Sequence, residues 1–421
     1  MRYEGCGQFR QRICCSLLSG KTLIITRIRE RGVDENQATS GGYLCGLQDF
    51  EASFLRLIEK LTDGCVIEIN ETGTCLKFKP GLLIGGIISG VHDCGTTRCI
   101  GWFIEGIIPL AIFCKTNVSV SFSGVTNDSL DISVDILRSV TLPLLQNFGI
   151  SGVNLKVARR GCMPKGGGLV ELQVPIVRKF LQPVYIVDEG LIKRVRGVAF
   201  SSKISPTTTN RVVHACRGVL NRLLPDVHIE TDHFKGKEGG DSPGYSLSLV
   251  AESTSGALLS VERNASSGVP SGGASQPELP EDVGSEAALQ LLLEIQRGGV
   301  IDSTHQPLIL QLMVLTPEDV SKVRFGSELT PQAIATLRLI KDAFGVVFKI
   351  KPDLVLWQQQ RSEQRQHQQK QEKEDSDSES CVDDKADEGT HRRGGNMFER
   401  DPTILLSCLG IGYSNINRKV T

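Results

Sequence analysis

Long apolar runs are missing from this 421-residue chain. No stretch approaches the ~20 consecutive apolar residues that a membrane-spanning helix needs, so we expect no membrane partner. The first residues, with Arg2 and Glu4 among them, also lack an apolar core followed by a small-residue cleavage site, so we expect no secretory signal. With 40% hydrophobic residues, the chain has instead the composition of a globular protein that can bury a large core.

Paired cysteines at metal-binding spacing are also absent. The 13 cysteines are scattered, their number is odd, and no C-x-x-C pair occurs among them. His92, Asp93, Cys94 and Cys99 form the nearest approach to a metal cluster, but a second pair of ligands at suitable spacing is missing. We therefore expect reduced thiols in a reducing compartment, with no metal and no other cofactor.

A strong net charge is lacking as well, because the formal net charge is -1 at pH 7. Acidic residues exceed basic ones between residues 361 and 401, so the rest of the chain is mildly basic. Such a balance permits a local contact with RNA, although strong nucleic-acid binders usually cluster Lys and Arg on one face.

What the sequence does contain is a recurring pattern, in which an amphipathic helix is followed by a glycine or aspartate break and an alternating strand. The pattern occurs four times, over residues 55–69, 136–157, 212–230 and 333–350. Apolar residues three and four apart predict helices, and strict alternation predicts strands. The pattern therefore predicts an α/β protein in which each helix covers one face of a small sheet.

The most distinctive segment reads R-G-C-M-P-K-G-G-G over residues 160–168 and leads into an alternating strand. Consecutive glycines let the backbone adopt positive φ and approach an anion closely, and Arg160 and Lys165 add positive charge. The segment is either a phosphate-binding turn or a tight hairpin with charged shoulders.

A second cationic group precedes it. A strand predicted over Thr22–Arg31 would place Arg27, Arg29 and Arg31 on one face, since alternate residues of a strand share a face. The group is either part of an anion site or a solvated strand edge that discourages aggregation.

These motifs resemble, in order along the chain, the signature of the RNA 3′-terminal phosphate cyclase superfamily. E-G-C-G-Q at residues 4–8 followed by Arg12 is similar to the family's E-G-G-G-Q…R segment, and residues 160–168 are similar to its R-G-x-x-P-x-G-G-G. Further similar segments lie at residues 79–86, 122–127 and 242–249. The resemblance implies an α/β (α+β) fold related to the enolpyruvyl transferases, in which a large domain of three repeated sheet and two-helix units carries a smaller inserted α/β domain.

The resemblance also implies a division of this chain. Residues 1–184 would hold the first two repeats, and residues 185–280 the inserted domain, with a long loop over 253–284. Residues 285–357 would form the third repeat, and residues 399–421 would close the main domain. Between them, residues 358–398 are rich in Gln and then acidic, a composition that indicates disorder because it cannot offset the ordering entropy.

In the family, cationic and glycine-rich segments converge on the phosphates of nucleotide and RNA. The candidate anion- or RNA-binding residues here are Glu4, Gln8, Arg12, Arg27, Arg29, Arg31, Arg160, Lys165, Gly166, Gly167 and Gly168. We assign no catalytic residue, because cyclases of the family attack the nucleotide with a histidine near the start of their last long helix. Here the corresponding segment, Glu328–Thr336, has no histidine, and Cys6 stands where the family has glycine.

The missing histidine indicates the cyclase-like branch of the family. The resemblance then implies a non-catalytic factor of nucleolar small (40S) ribosomal subunit biogenesis, located in the nucleus and nucleolus, that acts in pre-rRNA processing toward 18S rRNA. Its implied partners are pre-rRNA, the small-subunit processome and a nucleolar ribosome-assembly GTPase. Two enzymatic alternatives stay open. One is an RNA endonuclease of the same pathway, since cleavage needs a general base but no covalent histidine, and the other is a residual RNA 3′-phosphate cyclase.

Overall fold

The computed structural model describes residues 1–30, 45–265, 278–354 and 401–417. The strands are β1 Arg2–Glu4, β2 Leu23–Thr26, β3 Thr62–Asp63, β4 Val66–Ile69, β5 Leu76–Lys79, β6 Leu82–Leu83, β7 Gly85–Asp93, β8 Thr116–Gly124, β9 Asn154–Arg159, β10 Gly168–Val174, β11 Tyr185–Ile186, β12 Ile192–Ser202, β13 Val227–Phe234, β14 Gly244–Ser253, β15 Leu258–Asn264, β16 Val320–Phe325, β17 Lys349–Pro352 and β18 Ile404–Leu409. The helices are α1 Phe9–Ser19, α2 Asp49–Leu61, α3 Ile100–Ala111, α4 Val134–Ile136, α5 Leu142–Gln146, α6 Pro206–Leu220, α7 Pro280–Arg297, α8 Gln306–Val314 and α9 Pro331–Phe344, with a π-helical turn over Leu137–Thr141 between α4 and α5.

In the described ranges, these strands form four sheets of four strands and one of two. Three sheets follow one another along the chain, in the orders β1-β2-β5-β4, β7-β8-β10-β9 and β11-β16-β18-β17. The fourth sheet, β13-β12-β14-β15, is inserted between β11 and β16. The fold is thus α/β, with three repeated units and a smaller inserted unit, as the sequence predicted.

Each of the four predicted helix and strand patterns is present, and each has the same place in its sheet. The strand that follows the helix is always an edge strand: β4 after α2, β9 after α5, β13 after α6 and β17 after α9. A helix covers one face of each sheet because its apolar residues recur three and four apart. The other faces of the three main sheets point outward.

The main core lies between the inner faces of the three sheets. The helix α3 is apolar around its whole circumference, and such a helix is stable only when it is buried. Eleven of its residues are buried, and it contacts α1, α2 and α8. The helix therefore forms the centre around which the three repeats pack.

The inserted unit has a core of its own, formed by its sheet and by α6 and α7. Val195, Val212, Leu249 and Leu291 are buried together in it. Since α7 packs in this core and β11 belongs to the third main sheet, we propose residues 192–297 for the inserted unit, in place of 185–280.

The prediction of one long loop over residues 253–284 was wrong for the described residues. Leu258–Asn264 pairs with β14 as a strand, and the helix α7 begins at Pro280. The sequence signal of this strand is weak because the strand is short and lies between segments rich in serine and glycine. The rest of the predicted loop, residues 266–277, lies outside the described residues.

The end of the chain contributes to the third sheet. The strand β18 pairs with both β16 and β17, so the chain returns to the sheet that it left at β17. The prediction of a disordered insertion over residues 358–398 lies outside the described residues. None of the helices described here combines the length and the apolar character that crossing a membrane requires.

Candidate functional site

A cavity of ≈530 Å³ lies where the first, second and third repeats meet the inserted unit. The start of α1 contributes Gln8 and Arg10, and the loop after β8 contributes residues 128–132. The strand β15 contributes Glu262, and the start of α9 contributes Thr330 and Gln332. The segment in which a family cyclase carries its histidine therefore faces a cavity in this protein.

Three arginines line this cavity, and each is held by a carboxylate. The pairs are Arg10 with Glu105, Arg29 with Glu51, and Arg98 with Asp131. The Arg29 guanidinium donates from Nη1 and Nη2 to the two carboxylate oxygens of Glu51 at 2.7 and 2.9 Å. Two-pronged pairs of this kind fix the guanidinium and use its donors, so an incoming phosphate would have to displace a carboxylate.

Two further carboxylates lie at the cavity outside these pairs. Asp128 is 7% exposed; its Oδ1 accepts from the backbone N–H of Leu130 and Asp131, and its buried Oδ2 has no hydrogen-bond partner among the described residues. Burial, reinforced by the charge of Asp131, raises the pKa of Asp128.

Glu262 is the second of these carboxylates. Its Oε1 accepts from Asn127 at 3.1 Å and from Asn264 at 3.0 Å. Burial raises the pKa of Glu262 to about 7, against the lowering effect of its hydrogen bonds. With three paired arginines and two extra carboxylates, the described residues of the cavity carry no excess of positive charge and are poorly suited to bind phosphate.

Arg160, the first residue of the glycine turn, is not exposed to a ligand. It is 3% exposed, its Nη2 donates to Asp135 Oδ1 at 2.7 Å, and its guanidinium lies 4.6 Å from the centre of the Phe200 ring. Burial lowers the pKa of Arg160, but the charge and hydrogen bonds of Asp135 outweigh this and raise it. The charge of Arg160 is thus neutralised inside the protein, and its binding of an anion stays a prediction.

The glycines that follow Arg160 join the main unit to the inserted unit. Gly167 has φ +79°, and a Cβ there would lie 2.4 Å from Asp241 Oδ2. The carbonyl of Gly166 accepts from the backbone N–H of Asp241 at 3.0 Å, and the backbone N–H of Arg160 donates to Glu238 at 3.0 Å. The glycines are therefore explained by close backbone packing, which favours the tight-turn alternative over a phosphate site.

The rest of the turn is consistent with this role. The Met163–Pro164 peptide is cis, and Gly168 is the first residue of β10, where it pairs with Gly124. The Lys165 side chain is exposed, and its backbone N–H donates to Ser242 Oγ of the inserted unit at 3.0 Å.

The strand predicted over Thr22–Arg31 ends at Thr26, so Arg27 and Arg29 do not lie on a strand face. Arg27 and Arg29 have φ of 56° and 45°, in the left-handed region, which breaks the alternation. Arg27 is exposed and pairs with Glu4 at 3.3 Å, whereas Arg29 turns inward to Glu51. Arg31 lies outside the described residues.

Gln8 and Arg12 have structural partners near the N-terminus. Gln8 Nε2 donates to the carbonyl of Gln332 and to Thr336 Oγ1, at 3.1 and 3.2 Å, and so ties α1 to α9. Arg12 donates to the carbonyl of Gly5 at 2.7 Å and its guanidinium lies 4.6 Å from the centre of the Tyr3 ring. Of the predicted residues that the structure describes, only Gln8 and Arg29 line the cavity.

His305 is a buried structural residue. It is 1% exposed, with Nε2 2.8 Å from Thr141 Oγ1 and Nδ1 2.6 Å from Asp302 Oδ1. Both ring nitrogens are within hydrogen-bond distance of buried partners, so neither faces the cavity in this structure. At the start of α9, Thr330 Oγ1 accepts from the backbone N–H of Ala333 as a helix cap.

Metal ligation has no support in the same region. In the described ranges, no group of three or more His, Cys, Asp or Glu side chains is arranged to hold a metal ion. Asp128 and Glu262 were not predicted from the sequence. Their only local signal is position: Asp128 follows the segment 122–127 that resembles a family motif, and Glu262 lies in β15, within the range for which the sequence predicts a loop.

Comparison with known proteins agrees with this architecture. The family described as RNA 3′-terminal phosphate cyclase matches residues 1–350. The chain is 44% identical to the RNA 3′-terminal phosphate cyclase-like protein of Mus musculus, over 99% of this chain and 97% of the relative. It is 41% identical to the probable cyclase-like protein of Dictyostelium discoideum, over 99% of both chains.

A third relative carries a different name. The rRNA processing protein rcl1 of Schizosaccharomyces pombe is 37% identical, over 100% of this chain and 98% of the relative. Similarity that extends over the whole length, together with the match to residues 1–350, leads to one assignment: the chain belongs to the RNA 3′-terminal phosphate cyclase family, among its cyclase-like members.

Proposed function

We propose that this protein is a non-catalytic factor in pre-rRNA processing. The name of the fission yeast relative, rRNA processing protein, supports the process. More specifically, we propose that the protein is located in the nucleus and nucleolus. There it would act in maturation of the small (40S) subunit toward 18S rRNA. The proposed partners are pre-rRNA, the small-subunit processome and a nucleolar ribosome-assembly GTPase.

The non-catalytic role is supported by the residues that line the cavity. Its arginines are paired with carboxylates, and the start of α9 presents Thr330 and Gln332. Nucleotidyl transfer needs a nucleophile within reach and positive charge around the phosphates. The described residues of the cavity supply neither a histidine nor an unpaired cation.

The test of the process is depletion of the protein in cells, with complementation by the wild-type chain. The proposal predicts that precursors of 18S rRNA accumulate on depletion and that large-subunit precursors are processed normally. Normal 18S rRNA maturation in depleted cells would contradict it. In parallel, purified protein incubated with labelled ATP should form no covalent adduct that survives denaturation.

One observation favours a second candidate, the RNA endonuclease. Asp128 and Glu262 are two carboxylates with raised pKa values at one cavity, and a carboxyl group with a pKa near neutrality can act as a general acid or base. Purified protein would then cleave a pre-rRNA fragment, and Glu262→Gln would abolish the cleavage. The non-catalytic proposal predicts no cleavage by either form.

A further inference from the structure

The outer face of the third main sheet differs from the outer faces of the other two. In register, Tyr185, Lys322, Ser407 and Lys349 form one row across all four strands. Lys351 lies in the next row, opposite Leu405. Residues paired across neighbouring strands point to the same side of the sheet, so the row presents one aromatic ring and two lysines together.

This face is open to solvent. Val323, Phe325 and Leu406 point to the opposite side and are fully buried in the core. Tyr185 is 69% exposed, and Val320 and Leu409, which pair at the end of the face, are 58% and 57% exposed. The face therefore combines an exposed ring and exposed apolar side chains with positive charge.

The lysines of this face have no acidic partner among the described residues. Across the residues that the structure covers, none of Lys322, Lys349 and Lys351 has a carboxylate within salt-bridge distance, whereas Arg324 at the inner end pairs with Asp353 at 3.0 Å. Lys322 Nζ lies 5.5 Å from the centre of the Tyr185 ring. The uncompensated charge of the face is therefore positive and lies beside its aromatic ring.

The equivalent faces of the other two repeats each carry a lysine that is paired with a glutamate. On the first sheet, Lys77 pairs with Glu68 at 3.0 Å, and on the second, Lys156 pairs with Glu171 at 3.8 Å. The three sheets share the same strand order, but within the described residues the third alone joins several unpaired lysines to an exposed aromatic residue.

We infer that this face, defined by Tyr185, Lys322, Lys349 and Lys351, binds single-stranded RNA. Open four-stranded sheets bind single strands by stacking bases on exposed aromatic rings, and lysines beside the rings neutralise phosphates. Neighbouring strands are ~4.8 Å apart, so Lys322 and Lys349, separated by β18, lie about two strand spacings apart and can contact separate phosphates. The inference rests on the proposed role in pre-rRNA processing and names the surface that contacts the RNA.

The test is binding of a short fluorescent single-stranded RNA to the full chain, measured by anisotropy between about 50 and 200 mM salt. The double variant Lys349→Gln, Lys351→Gln should bind the RNA more weakly. The slope of its plot of log K against log salt concentration should be smaller in magnitude by about 1.4, because each of the two lost phosphate contacts accounts for about 0.7. The matched control is Lys77→Gln, Lys79→Gln, which removes the same charge from the first sheet and should leave the slope unchanged.

Tyr185 separates base stacking from simple attraction between charges. Tyr185→Ala should weaken binding about 5- to 150-fold, the range for loss of one stacked base, and Tyr185→Phe should retain it. All four side chains are on the surface, so thermal melting of each variant serves as the check of folding.

Several outcomes would overturn the inference. These are the absence of any RNA binding by the wild-type chain, equal slopes for the two double variants, or an unchanged affinity of Tyr185→Ala. Displacement of the RNA by polyglutamate together with an unchanged Tyr185→Ala affinity would mean that the face docks an acidic protein. None of these results touches the proposed function, which is tested separately by depletion and by the assays for adduct formation and RNA cleavage.

Discussion

Arg160 and Asp135 form a buried, two-pronged ion pair that ties the glycine turn to the helical segment of the second repeat. The pair gives the first residue of the most distinctive motif a structural role. The arginine that resembles a phosphate ligand is neutralised by a carboxylate, and its guanidinium is covered by Phe200 and Phe234.

Arg160→Ala should destabilise the protein by about 3–5 kcal/mol, because it leaves the Asp135 carboxylate buried without its partner. Urea unfolding at neutral pH measures the change. Arg159→Ala is the control, since Arg159 is the exposed preceding residue at the end of β9, and it should change the free energy of unfolding by less than ~0.5 kcal/mol. Equal effects of the two substitutions would contradict the assigned role of the pair.

His305 should make the stability of the protein depend on pH. Burial lowers its pKa, but the charge and hydrogen bond of Asp302 outweigh burial and raise it above its ordinary value. The stabilisation is then fully present below the unfolded pKa of about 6.5 and is lost as the pH rises through the folded pKa.

The free energy of unfolding of the wild type should therefore decrease as the pH rises from about 6. The free energy of unfolding of His305→Gln should decrease less over the same range. The control is His228→Gln, whose side chain is 59% exposed, and its pH profile should match that of the wild type. A wild-type profile without this fall would mean that His305 is not held in its charged form.

Glu262 should act in the same direction for a different reason. Burial raises its pKa to about 7, so the folded state holds a proton that the unfolded chain releases near pH 4.3. The stabilisation that this proton provides is fully present below about pH 4.3 and is lost as the pH rises through about 7. Glu262→Gln should therefore be more stable than the wild type above pH 8, by about 2–4 kcal/mol. A variant less stable than the wild type at that pH would argue against a desolvated carboxylate.

The glycine turn can be tested by comparing two glycines with the same backbone conformation. Gly64 has φ +72° with nothing within 4 Å of an added Cβ, whereas at Gly167, with φ +79°, the Cβ would lie 2.4 Å from Asp241 Oδ2. Gly64→Ala should cost about 1–2 kcal/mol, the penalty of the left-handed backbone. Gly167→Ala should cost more, since the joint to the inserted unit must also shift. Equal losses of stability in the two variants, measured by thermal or urea unfolding, would mean that the close approach of Gly167 to Asp241 has no structural importance.

The sequence predicted the repeated architecture because that information is local. The apolar spacing of a helix such as α9 and the alternation of the strand β17 are visible within about twenty residues. The inserted unit was delimited less well, since α7 packs in its core without any local sign of which core it belongs to.

The candidate site was predicted less well, because burial and pairing are tertiary properties. Arg29 and Arg160 are neutralised by Glu51 and Asp135, which lie 22 and 25 residues away in the chain. No spacing rule links those carboxylates to the arginines. The residues of the third sheet face, from Tyr185 to Lys351, are brought together only by strand pairing.

The central claim, that this protein acts in pre-rRNA processing without catalysis, is tested most directly by replacing the titratable carboxylates of the cavity. Cells depleted of the protein would be supplied with the double variant Asp128→Asn, Glu262→Gln, and 18S rRNA precursors would be measured beside wild-type complementation. We predict that precursor levels match those of the wild type, provided that the variant is present at equal abundance. The opposite result would be a precursor that accumulates with one cleavage site left uncut, although the variant is folded and as abundant as the wild type. That result would contradict the account and establish a catalytic role for the cavity.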